Sequence, residues 1–272
     1  MAQIDLTKVK GIIFDYGGTI DTGGDHWSYV IEDAYKKAGV YISEDAFRDA
    51  YVFAERELAR TLHILPHHNF GDLLDIKIKI EMQELAAGGV IPTDLVDTKA
   101  PEIAKLCYES AKESVENAKP VLEALSKQYK LVLVSNFYGN VATVLKDFGI
   151  DSYFSDIIES AVVGVRKPDP RIFEMGAKAM GLKPEDTLVI GDSFRKDIVP
   201  AEKAGAQVLW IKGKGWTPEE DAQLHPNIIS SLHDVLELVA GSEPDEKSVD
   251  AADVDPISGA IQIEESSGPK PN

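Results

Sequence analysis

The 272-residue chain carries 46 acidic against 28 basic residues, a net charge of −18. That balance argues against nucleic acid or an anionic membrane as the main partner, because both reward basic surface, and no apolar run is long enough to cross a bilayer. A single cysteine, Cys107, excludes an intramolecular disulfide framework and fits a reducing compartment.

The first residues contain no secretory core and lead straight into a strand, so a cytoplasmic location is expected. That strand is the apolar run Gly11–Phe14 (GIIF). From about residue 25 to 119 the pattern turns helical. Trp27, Val30/Ile31, Ala34 and Ala38 recur at helical spacing, as do Phe47, Ala50/Tyr51, Ala54 and Leu58. Ile76, Ile78, Ile80 and Met82 alternate with charged residues, a strand pattern taken alone; Leu73, Lys77, Ile80 and Glu84 make a helical stripe, and helical neighbours favour helix. Pro101 is expected to open a further helix, with Ile103, Leu106/Cys107 and Ser110/Ala111 on one face.

Three more continuous apolar runs follow at 131–134 (LVLV), 187–190 (TLVI) and 207–211 (QVLWI), with amphipathic helical stretches at 141–148 and 172–180. Continuous rather than alternating strands suit a parallel sheet buried on both faces. The pattern predicts a doubly wound α/β core, residues 1–22 and 120–240, with a helical insertion over 23–119 acting as a cap. Residues 241–272 carry eight acidic residues against two lysines and are rich in Gly, Pro and Ser. They are expected to be a disordered tail, with 257–263 the one apolar stretch that has something to dock.

Four motifs lie beyond the ends of these strands, where ligands of such sheets gather. Asp15 leaves the first strand into Tyr16-Gly17-Gly18-Thr19, a turn whose backbone amides can surround a phosphate. Ser135-Asn136 follows the second and offers a hydroxyl and an amide to a phosphoryl oxygen. Lys167 sits in Arg166-Lys167-Pro168-Asp169-Pro170, and Asp192 and Asp197 stand five apart in Gly191-Asp192-Ser193-Phe194-Arg195-Lys196-Asp197. Carboxylates plus one lysine, with no histidine pair, form an oxygen-rich set suited to Mg²⁺ rather than zinc. Read singly, each motif has a bland alternative. Asp15 and Asp192 serve as caps or turn formers, Lys167 as a surface lysine, Ser135-Asn136 as turn residues and Asp197 as an N-cap ahead of Pro200.

The order DxxGT, SN, KPDP, GDSxxxxD resembles the haloacid dehalogenase superfamily across about residues 10–240, including a cap inserted between the first two motifs. The resemblance implies a Rossmann-like core and a hydrolase in which Asp15 attacks phosphorus to form an aspartyl-phosphate. It implies Mg²⁺ held by Asp15, the Gly17 carbonyl and Asp192, with Asp197 as outer support. Lys167, Ser135 and Thr19 would stabilise the phosphoryl oxygens of a small phosphorylated substrate, with Gly18 and Asn136 beside them. Oligomeric state is not legible.

One position departs from the pattern. Phosphatases of this superfamily usually carry a second aspartate two residues after the nucleophile, as acid and base, and here that residue is Gly17. Such catalysis is typically worth about 10²- to 10⁴-fold. Other branches also lack it: phosphonatases have alanine and use a cap lysine, dehalogenases have tyrosine, and P-type ATPases threonine. Lys196 stands where relatives often have asparagine. His26, His63, His67 and His68 are candidates to replace the acid, and Lys77 or Lys79 to form a Schiff base, although alternating lysines ordinarily mark a solvated face. Pro66 breaks the spacing that a His63–His67 metal site needs. Lys212-Gly213-Lys214-Gly215 has the wrong composition for a nucleotide loop. A phosphonatase- or dehalogenase-like reaction, and a phosphate-binding protein with little turnover, stay open beside the phosphatase.

Overall fold

The structure is a computed structural model and describes residues 4–240; the acidic tail expected to be disordered lies outside the described residues. Strand β1 (Gly11–Phe14) is followed by four helices, α1 (Trp27–Lys37), α2 (Glu44–Arg60), α3 (Phe70–Ala87) and α4 (Asp94–Ser126). The chain then alternates: β2 (Lys130–Ser135), α5 (Val141–Asp147), β3 (Asp156–Glu159), α6 (Ser160–Val163), α7 (Arg171–Ala179), β4 (Thr187–Gly191) and α8 (Val199–Ala204). It closes with β5 (Gln207–Ile211), α9 (Pro218–Asp221), β6 (Ile228–Ile229) and α10 (His233–Ala240).

The six strands form one parallel sheet in the order β3-β2-β1-β4-β5-β6. β1 lies between β2 and β4, with Ile13 opposite both Val132 and Val189. The chain reverses winding direction at β1 and β4, which is where a doubly wound sheet opens a crevice beyond its carboxyl ends. Alternate residues of β1 serve opposite layers. Ile12 and Phe14 join the core shared with the inserted helices, while Ile13 joins Val132, Val189 and Phe173 on the other face. All four expected strands are present. β3 and β6 escaped the sequence because each is short and one residue in two of β3 is acidic, leaving little apolar signal.

The inserted helices form the cap. The segment with two readable periods is helix α3, opened by a capping box between Asn69 and Asp72. Burial of Leu73, Leu74, Lys77, Ile78, Glu81, Met82 and Leu85 follows the helical repeat. Helix α4 begins at Asp94, seven residues before Pro101, so that proline lies inside the helix rather than opening it. A proline there removes one backbone hydrogen bond. The buried stripe Val96, Ala100, Ile103, Ala104, Cys107 and Ala111 runs through it unbroken, and that packing outweighs the loss. α4 runs to Ser126, past residue 119 and through a second proline, Pro120, so one continuous helix spans the expected boundary between cap and core.

Candidate active site

β1 delivers Asp15 to the sheet's carboxyl edge, and its amide donates to the Ile190 carbonyl at 3.0 Å, carrying the β1–β4 ladder one residue into the loop. Lys167 arrives from the loop before α7 and is buried. Its Nζ lies 2.5 Å from Asp15 Oδ1 and 2.6 Å from Asp197 Oδ1. Burial alone would favour the neutral amine, but the Asp15 and Asp197 carboxylates reverse that and raise the ammonium to about 12. Lys167 is therefore a fixed cation.

Thr19 Oγ1 lies within hydrogen-bond reach of Asp15 Oδ2 (3.2 Å) and Asp192 Oδ1 (3.1 Å), tying the first motif to the fourth. Asp15, Asp192 and Asp197 place carboxylate oxygens within 4.8 Å of one another. Burial, then the neighbouring Asp15 and Asp197 charges, push Asp192 well above the usual carboxylate range. Burial and the Asp15 charge likewise lift Asp197 to about 6 against the pull of Lys167. Three crowded carboxylates with one lysine leave excess negative charge, and an all-oxygen donor set fits a hard divalent cation. Asp197 also accepts from the Ser193 amide at 3.0 Å, which commits both its oxygens and makes it a support for the loop and for Lys167.

Other expected site residues take different tasks. Ser135 is buried at the cavity wall, and no protein group bonds its hydroxyl among the described residues. Asn136 spends its amide on the Lys167 backbone, donating to the carbonyl at 3.0 Å and accepting from the N–H at 2.9 Å. It positions the lysine. The Gly18 amide donates to Asp21 Oδ1 at 2.7 Å rather than opening toward a ligand. Gly17 lines the cavity, and a Cβ built on it meets nothing within 4 Å.

A family model described as haloacid dehalogenase-like hydrolase matches residues 9–205, a span that takes in all four motifs. The chain belongs to the haloacid dehalogenase-like hydrolases. Glyceraldehyde 3-phosphate phosphatase of Methanocaldococcus jannaschii is 38% identical over 98 residues, covering 36% of this chain and 42% of that protein. Phosphoserine phosphatase of Thermus thermophilus is 36% identical over 89 residues, covering 32% of this chain and 35% of the relative. The chain thus spans less than half the length of these curated relatives. In structure, the HAD-hydrolase YfnB of Bacillus subtilis, solved with bound magnesium, superimposes with a TM-score of 0.52 at 19% identity, over 85% of this chain and 98% of that one. That likeness concerns the fold.

In this member of the family the motif residues form one wall of a cavity of about 610 Å³, and the cap supplies much of the rest. Among the four candidate histidines, only His26 lines it. His26 caps α1, its Nδ1 accepting from the Ser28 amide at 3.2 Å, and burial followed by the Lys196 charge holds it down to about 3. A neutral imidazole of that kind donates a hydrogen bond but shuttles no proton near neutral pH. His63 is bound to Glu57, and His67 and His68 pack on each other away from the cavity. Among the described residues the acidic trio alone has metal-ligand spacing, so the histidine metal site does not form.

Lys77 corrects the sequence reading. It is buried and faces the cavity, ion-paired with Glu55 and 4.5 Å above the Tyr51 ring, whereas Lys79 is exposed. Burial would lower Lys77, but Glu55 and its neighbours raise it above the ordinary lysine value. A lysine held as ammonium is no amine nucleophile.

Several lining groups carried no motif. Asp21, six residues after Asp15, accepts from Gly18 and from Trp27 Nε1 (3.0 Å), and burial pushes its carboxyl up to about 8. His26, Tyr51 and Trp216 pack ring on ring, with centroids 4.8 to 5.7 Å apart. Their separation in sequence hid that cluster; only Asp21, close behind Asp15, left a legible trace.

Proposed function

We propose that this hydrolase is a magnesium-dependent phosphatase of a small phosphorylated compound, with Asp15 as nucleophile. The observation that carries the reading is the convergence of Asp15, Lys167 and Asp192 on one cavity wall at the β1–β4 crevice, with Thr19 buried behind and tying the two aspartates together. The phosphatase names of the similar proteins point the same way.

Asp15 attacks phosphorus, the ester P–O bond breaks, and the leaving oxygen takes a proton from solvent. Water then attacks the phosphorus of the aspartyl-phosphate, the bond to Asp15 breaks, and phosphate leaves with the carboxylate restored. Lys167 holds the Asp15 carboxylate in place and offers positive charge to the transferring oxygens, Ser135 offers its hydroxyl, and Thr19 braces Asp15 and Asp192 from behind. Asp15, Asp192 and the Gly17 carbonyl would hold the magnesium ion, with Asp197 behind, and the ion would screen the nucleophile from its anionic substrate. Because Gly17 contributes no acid, acyl and aryl phosphates with good leaving groups should be hydrolysed best.

The deciding experiment is turnover of a broad phosphate-ester panel with and without Mg²⁺, beside Asp15→Asn. Loss of activity on chelation and in the variant is expected. Turnover indifferent to Asp15→Asn would sink the reading.

A second reading rests on Gly17. A protein that has lost its acid–base group can bind phosphorylated ligands tightly with Mg²⁺ yet turn them over negligibly. Ordinary phosphatase rates on any ester of the panel would rule this out. The carbon-directed alternative loses support from Lys77, whose pairing with Glu55 withholds the amine that a phosphonatase needs.

A further inference from the structure

Of the six arginines, three have side chains with no ion pair, hydrogen bond or ring contact among the described residues: Arg56, Arg166 and Arg195. All three line the cavity. The other three are engaged elsewhere, Arg48 over the Trp216 ring at 3.9 Å, Arg60 with Glu57 and Arg171 with Asp169. Lys196 also lines the cavity, with no side-chain ion pair or hydrogen bond among the described residues. These cations come from separate elements: Arg56 from α2, Arg166 from the loop before Lys167, and Arg195 and Lys196 from the π-helical turn Phe194–Ile198 that follows β4.

In a chain of net charge −18, four unpaired cations on one cavity need a reason. Nearby acids are committed. Asp15 and Asp197 share Lys167, and Glu55 holds Lys77 and the Tyr138 hydroxyl. Glu220 and Asp221 accept from the Trp216 and Gly215 amides. On the reading above, Lys167, the Ser135 hydroxyl and the metal already provide for one phosphoryl group. Guanidinium forks match carboxylate and phosphate oxygens in pairs. A cavity of about 610 Å³ has room for a substrate that extends well beyond one phosphoryl group.

We propose that the substrate carries a second anionic group, a carboxylate or a second phosphate, bound by Arg56, Arg166 and Arg195 with Lys196, apart from the phosphoryl group at Asp15. The inference rests on Asp15 marking the phosphoryl end. The chief rival is electrostatic steering, in which exposed cations speed the arrival of any anion without a defined contact.

The test is calorimetric binding, in Mg²⁺, to the Asp15→Asn protein, which does not consume the ligand. One matched pair is glycerol 3-phosphate against 3-phosphoglycerate; the other is the mono- against the bisphosphate of 1,3-propanediol. The second anion should tighten binding at least tenfold in one pair, and the pair that responds tells carboxylate from phosphate. Arg56→Gln and Arg195→Gln, both surface changes, should each remove most of that factor. Equal affinity within both pairs, variants that weaken both members alike, or no binding of any of the four would overturn the proposal. Hydrolysis of the same esters by the unaltered chain reports separately on the phosphatase reading. Discrimination without hydrolysis overturns only that reading, and hydrolysis without discrimination overturns only this one.

Discussion

Gly18 lies so close to Asp192 that a Cβ on it would stand 2.3 Å from the Asp192 carboxylate, and its backbone is left-handed at φ +96°. Both conditions exclude a side chain. Gly18→Ala should displace Asp192 from Thr19 and from the acidic cluster. We expect Mg²⁺ affinity to fall at least tenfold and stability by about 1–3 kcal/mol, the usual cost of such backbone strain. Metal titration and chemical denaturation read the two effects; an alanine variant with unaltered metal affinity would refute the close-packing account.

Gly17, one residue earlier, behaves oppositely. Its backbone lies outside the left-handed region and a Cβ has open space. Gly17→Asp should fold as well as the parent chain and raise kcat on alkyl phosphates, by up to about 10²- to 10⁴-fold if the new carboxyl reaches the leaving oxygen. Gain should be smallest on aryl phosphates, whose leaving groups need no proton. A uniform loss across the panel would mean that the site is tuned to glycine.

Asn136→Ala removes two hydrogen bonds to the Lys167 backbone while leaving the ammonium in place. Each bond is worth about 1 kcal/mol. We expect kcat to drop about tenfold with little change in KM, because Lys167 loses its position rather than its charge. If KM rises and kcat holds, Asn136 contacts substrate after all.

Lys77 and Glu55 form a pair with one member buried and the other open to the cavity. Glu55→Gln leaves the ammonium without its counter-charge, at a cost of about 1–3 kcal/mol, discounted because Glu55 is over a third exposed. The double variant with Lys77→Met should recover most of that loss in urea denaturation. Borohydride with phosphonoacetaldehyde should trap no adduct near neutral pH, since Lys77 stays protonated.

Glu81, one turn beyond Lys77, is fully buried, and burial raises its carboxyl to about 7, with the Lys77 charge opposing. Its folded value lies above the ordinary 4.5, so the folded state binds the extra proton between those values. The stabilisation is complete below about pH 4.5 and lost as pH rises through about 7, a difference on the order of 3 kcal/mol. Glu81→Gln should flatten that part of the stability profile and exceed the parent's stability at pH 8. Parallel profiles for the two proteins from pH 5 to 8 would contradict this.

Much of the core was legible because its signals are local. Continuous apolar runs marked β1, β2, β4 and β5, and the polar residues at their ends are Asp15, Ser135, Asn136 and Asp192; Asp197 was legible only as part of the motif that begins at Gly191. Helix α4 was legible only in part, since the buried stripe that carries it through Pro101 draws its energy from packing against other helices.

What the amino-acid sequence determined alone was the order of motifs and strands, because a parallel sheet buried on both faces must be written in continuous apolar residues. Tertiary structure decided which groups meet. Alternation in 76–82 cannot say that Lys77 turns inward to Glu55 while Lys79 turns out, since that depends on where α2 lies. Nor can it show that Asn136 grips Lys167, or that three unpaired arginines from distant segments share one cavity with Asp15. Those relations are set by long-range packing, which no local pattern encodes.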